Sequence, residues 1–159
     1  MKSDADVIVE IDEAFAECAK PDHFGNYLHC EECAEHDQLL RDRTRETLTR
    51  EDAGQAGWDP FCFSSAAGIA YYFPKLARLA ASPPPYDNWY GDQLLFHLSN
   101  DGPNNHFLQF CNDLQRRAVG NLLAHLEENS SGQEARLSSD NEMVQARALW
   151  CAHQSAFRQ

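Results

Sequence analysis

The chain has 159 residues and a mass of 18.0 kDa, enough to bury one core of ordinary size. With 43% hydrophobic and 24% charged residues it has the composition of a folded globular protein, not of a disordered one. Its net charge of −12 sits mainly in residues 1–60, with 16 acids against 6 bases; this works against phosphate backbones and acidic lipid headgroups, so no nucleic acid and no membrane is expected as partner, whereas a basic protein or a cation is allowed.

Valine, isoleucine and threonine together number only ten, against 20 alanines and 16 leucines. Sheets need stiff β-branched faces, while Ala and Leu lose little entropy in helices, so an all-α, irregular bundle of about five to seven helices is expected, in one domain over residues 1–159. Ser3 and Asp6 form a helix-start pattern, and Val7, Ile11, Ala14, Phe15 and Cys18 recur at helical spacing until Pro21. The other face of this first helix carries Asp6, Glu10, Glu13 and Glu17, like charges whose mutual repulsion burial of the apolar stripe has to outweigh.

Residues 22–29 read as a loop, and a second helix is expected over 30–43 with Cys33, His36 and Leu40 on one side. Thr49 and Asp52 predict a capped turn, and Ser64 or Ser65 caps a third helix through Tyr72. Pro74 predicts a new, kinked helix as far as Ala81, and the proline-rich stretch 82–89 a connector across the surface. A short helix over 92–98 ends at Gly102 and Pro103. One long helix is expected over 105–128, on the stripe Phe107, Cys111, Leu114, Ala118, Leu122 and His125. Ser139 and Glu142 repeat the capping pattern before a last apolar face of Met143, Ala146, Trp150 and His153.

The N-terminal residues lack the apolar run of a signal peptide, and no uncharged stretch is long enough to span a bilayer, so a cytoplasmic location is expected. The six cysteines should then be reduced, and their even number does not indicate disulfides.

One constellation has ligand spacing. Cys30 and Cys33 form a C-x-x-C at a helix start with His36 one turn further on, and His23 or His29 would complete a tetrahedron for zinc, which prefers thiolate and imidazole. The alternative is that these residues are packing or solvated surface, since no second spaced pair follows. Thiol redox chemistry is disfavoured by Glu31 and Glu32 between the sulfurs. An aromatic belt running from Trp58 to Tyr86, Trp89 and Tyr90 reads as core, with Tyr86, Trp89 and Tyr90 the candidates for lining a ligand or partner surface. Glu10, Glu13 and Glu17 are a solvated face or a docking surface for a basic partner. Metalloprotease, di-iron, phosphate-loop, dinucleotide and nucleophile-elbow motifs are all missing, which leans away from an enzyme.

Several segments together resemble an uncharacterised family of small bacterial proteins, a domain of unknown function. They are Ala14 and Phe15, Pro21, the run His29, Cys30, Glu31, Glu32, Cys33, then Phe63 and Ser64, the run Tyr71, Tyr72, Phe73, Pro74, and Gln115 with Ala118, Val119 and Leu123. The likeness covers about residues 11–126 and departs at Ala66 and Ala67, where that pattern has proline and glutamate. It implies a bacterial source and a small helical fold, and no activity. The leading functional expectation is a non-enzymatic protein-binding or regulatory module; the alternative is a zinc-binding protein built on Cys30 and Cys33.

Overall fold

The computed structural model describes residues 2–82, 88–130 and 139–155. Among them are seven α-helices and no strand beyond an isolated bridge between Gln55 and Trp58, so the fold is all-α. None of these helices is long and apolar enough to cross a membrane. The helices are α1 (Asp4–Phe15), α2 (Glu31–Asp42), α3 (Ala66–Ala81), α4 (Tyr90–Ser99), α5 (His106–Phe110), α6 (Asp113–Ser130) and α7 (Ser139–Ser155).

Helix α1 starts at the expected capping box: Ser3 Oγ accepts from the Asp6 amide, and the Asp6 carboxylate accepts from the Ser3 amide at 2.9 Å. Its C-terminus has no glycine. Arg45 closes it instead, donating Nη2 to the Phe15 carbonyl at 2.8 Å and the Cys18 carbonyl at 3.3 Å, while its Nε bonds the Tyr71 carbonyl. Val7, Ile11, Ala14 and Phe15 are buried against α3 and α6, and Phe15 meets the rings of Phe73 and Phe107.

Two sequence expectations are corrected. Pro74 does not open a new helix: α3 runs unbroken from Ala66 to Ala81, capped by Ser65, whose Oγ accepts from the Gly68 amide. Burial of Phe73, Pro74, Leu76 and Ala77 outweighs the one backbone hydrogen bond that the proline forgoes. The long helix over 105–128 is in fact two, α5 and α6. Asn105 caps α5 by accepting from the Leu108 amide, and Asn112 and Gln115 exchange amide-to-side-chain bonds of 2.9 Å that start α6 afresh. The break resets the helical phase, which is why Leu114, expected on the apolar stripe, is 54% exposed.

The core gathers α1, α3, α4, α5, α6 and α7 into one cluster among the described residues. Trp150 of α7 is fully buried, lies with its ring tilted against that of Phe107 at 5.6 Å and donates its indole N–H to the Leu98 carbonyl. Helix α2 lies against the 3-10 turn Pro60–Phe63 and is fastened at its C-terminus, where the Tyr72 hydroxyl sits 2.6 Å from the Leu40 carbonyl and 2.8 Å from that of Arg43. Lys20 donates to the Arg41 and Arg43 carbonyls beside it. The prolines of the expected connector, residues 131–138 and the side chains of Ser139 and His153 lie outside the described residues.

Candidate metal centre

Helix α2 begins at a cysteine. Cys30 is its N-cap, in extended backbone, and its sulfur accepts from the Cys33 amide at 3.4 Å, the role that serine or aspartate usually plays. One turn further on, Cys33 is buried, and its Sγ lies 3.3 Å from that of Cys30. His29, the residue before the cap, brings Nδ1 to 3.6 Å from Cys33 Sγ. One donor atom from each of the three lies within 4.8 Å of the others. A tetrahedral zinc with bonds of about 2.3 Å to sulfur and about 2.05 Å to nitrogen requires roughly 3.8 Å between sulfurs and roughly 3.6 Å from sulfur to nitrogen. The separations of Cys33 from Cys30 and from His29 therefore stand within about half an ångström of a zinc arrangement, and both thiols are free.

The thiols differ in electrostatics. Hydrogen bonds from the Cys33 amide and thiol and from His29 hold Cys30 below the ordinary thiol range. Cys33 is pushed above it, by its bond to Cys30 first, then by burial and by the charges of Cys30 and Glu32. An ion bound between them would favour both as thiolates.

The loop that delivers His29 is built on Asp37 of α2. One carboxylate oxygen accepts the amides of Phe24 at 2.5 Å and Gly25 at 3.2 Å, and the other lies 2.7 Å from His23 Nδ1. Burial opposes that charge, but these three hydrogen bonds outweigh it and hold the Asp37 carboxyl below the usual range. Phe24 is buried against Tyr72 and Tyr71, and the Ser65 amide donates to its carbonyl. A Cβ on Gly25 would come within 2.8 Å of the Phe63 carbonyl oxygen, so this close approach requires glycine.

Of the five ligands named from the sequence, Cys30, Cys33 and His29 come together and two are elsewhere. His23 is engaged by Asp37 and stacks on Tyr27 at 4.0 Å. His36 is only 3% exposed, packs between Trp58 and Phe63, and has Nε2 3.4 Å from Glu32. Helical spacing put His36 on the correct side, but the aromatic rings claim its imidazole.

The other named residues fall as follows. Trp89 and Tyr90 are buried, and the Trp89 indole donates to the Ala80 carbonyl at 2.7 Å, closing the end of α3. Tyr86 lies outside the described residues. Glu13 is exposed on α1, but α1 ends at Phe15 and not at Pro21, so Glu17 is exposed in the turn after the helix; Glu10 is engaged by Lys2 and by Asn121 of α6.

A second cluster was not singled out from the sequence. Asp59, Cys62 and His97 bring one donor atom each within 4.8 Å of the others, with Asp59 and His97 buried and Cys62 exposed. His97 Nε2 lies 2.8 Å from Asp59 Oδ2, which also accepts from Gln93 Nε2 at 3.0 Å, while Oδ1 accepts from the Phe61 amide at 2.8 Å. Burial, then the charges of Asp59 and Glu32, push the Cys62 thiol up to about 11. A cavity of about 390 Å³ opens beside the cluster, lined by Ala56, Asp59, Cys62, Asp92, Gln93, Phe96 and Glu142. The only sequence signal was the Asp59 to Cys62 spacing of three; His97 comes 35 residues after Cys62, and no local pattern joins them.

Comparisons with protein-family models, with curated proteins and with solved structures find no match to this chain.

Proposed function

We propose that the protein binds zinc through Cys30, Cys33 and His29. The observation that carries this reading is the triangle of two sulfurs and one imidazole nitrogen at 3.3 and 3.6 Å, spacings that one tetrahedral ion would span. His29 and Cys30 are exposed, which leaves the fourth position to water or to a partner's side chain. Bound there, the ion would tie the loop 22–29 to the start of α2 and add its binding free energy to the stability of the folded state.

Elemental analysis of the purified protein and of a Cys30→Ser/Cys33→Ser variant tests this. Serine at position 30 keeps a helix-capping side chain, and circular dichroism of the variant checks that it folds. The expected result is one zinc fewer per chain in the variant, and equal zinc in the two proteins would overturn the reading.

A second reading is a non-enzymatic module that engages a basic protein, supported by the acidic N-terminal third, by the exposed Glu13 of α1 and by the exposed Glu17 in the turn that follows it. Salt-sensitive binding to poly-lysine that weakens in a Glu13→Lys/Glu17→Lys variant is its expected outcome; binding unchanged by that variant would dismiss it.

A further inference from the structure

We propose that Asp59, Cys62 and His97 form a second metal centre, an open three-ligand site for a borderline divalent transition ion such as zinc, facing the cavity between the 3-10 turn Pro60–Phe63, α4 and α7. The donor set is mixed: one thiolate, one imidazole and one carboxylate, a combination that suits zinc and its neighbours better than calcium or magnesium. Asp59 precedes the turn as its cap and Cys62 comes three residues later, where a 3-10 turn eclipses side chains and stacks them on one side. Helix α4 then brings His97 against the carboxylate at 2.8 Å.

The triangle argues for convergence on one ion over nucleophilic catalysis. In a relay the imidazole stands between nucleophile and carboxylate, which sets sulfur and carboxylate oxygen about 7 Å apart. Here all three donors lie within 4.8 Å of one another. The carboxylate is also held in place from behind by the Phe61 amide and the Gln93 side chain, the outer hydrogen bonding that orients metal ligands. An independent sign comes from Tyr90 of α4, whose hydroxyl is fully buried, feels the charges of Asp59 and Cys62, and has no hydrogen-bond partner among the described residues. A buried polar group of this kind marks a place for an ordered water or ion.

Three protein ligands leave a fourth position, and the cavity of about 390 Å³ falls in the range of small-molecule sites, roughly 300–1,000 Å³. That position takes water or the oxygen or nitrogen donor of a small molecule. Asp92 and Glu142 on the cavity wall are acidic and favour the cation and any amine-bearing ligand. Binding releases the Cys62 thiol proton to solvent as the metal–sulfur bond forms, and no electron is transferred.

The test is titration of Co²⁺ into the Cys30→Ser/Cys33→Ser protein, which lacks the sulfurs of the first centre, so that failure of either site is seen separately. A thiolate-to-cobalt charge-transfer band saturating at one Co²⁺ per chain is expected, together with its loss when Cys62→Ser is added. No band, or a band that survives Cys62→Ser, overturns the proposal. Cys62 is exposed, so its replacement leaves the core intact. A second measurement uses no further variant: Co²⁺ should protect Cys62 from alkylation by iodoacetamide, and equal alkylation with and without the ion would sink the site.

Discussion

Asp37 accepts the backbone amide of Phe24 at 2.5 Å, so that a buried carboxylate of α2 holds the loop carrying His29 toward Cys30 and Cys33. The same side chain holds Gly25 and His23, which makes it the joint between that loop and the helix.

Replacing Asp37 with Asn should therefore destabilise the protein at neutral pH by about 1–3 kcal/mol, measured by urea unfolding. The carboxyl is depressed in the folded state, so its stabilisation is present above the ordinary aspartate range and is lost as pH falls through the folded value. The difference between Asp37→Asn and the parent should shrink below the ordinary carboxylate range, and a difference that stays constant through acid pH would contradict this account.

Removal of metal should lower the melting temperature. A ligand present at a hundredfold its dissociation constant stabilises by about 2.7 kcal/mol, so chelation at that degree of saturation should cost the parent about that much. The shift should be smaller in Cys30→Ser/Cys33→Ser, and identical shifts in the two proteins would remove Cys30 and Cys33 from the metal's ligands.

Gly54 stands at φ +68°, and a Cβ there would lie 1.9 Å from the Trp58 carbonyl oxygen. This turn is closed by paired backbone bonds between Gln55 and Trp58 and leads directly into Asp59. Gly54→Ala should cost about 2–3 kcal/mol in denaturant unfolding, from the left-handed backbone together with the clash. A cost below about 0.5 kcal/mol would show that the turn is not held in this shape.

Tyr72→Phe removes a buried hydroxyl shared by the carbonyls of Leu40 and Arg43 at the end of α2. Leaving those carbonyls with weaker partners should cost about 1–3 kcal/mol. Hydrogen exchange in the last turn of α2 should speed up with it, and unchanged protection there would place the loss elsewhere.

The helices were largely legible because their signals are local. The Ser3 and Asp6 box, the Ser65 cap, and the Thr49 and Asp52 pair, which exchange amide-to-side-chain bonds of 2.9 and 3.1 Å, all act within three residues. Where two local signals competed, the sequence was ambiguous. Pro74 spoke for a break that burial overrode, and the stripe through Cys111 concealed the Asn112 and Gln115 box that restarts the helix.

By itself the sequence determined an all-α chain, its acidic balance and the pairing of Cys30 with Cys33, since helical period and cap chemistry depend on residues three or four apart. Only the tertiary structure decided which imidazole joins those sulfurs: Asp37 takes His23, Trp58 and Phe63 enclose His36, and His29 remains. The same holds for Asp59 and His97, 38 residues apart and joined because α4 packs across the turn that carries the aspartate. Contacts of that range are set by how the helices share a core, and no spacing along the chain encodes them.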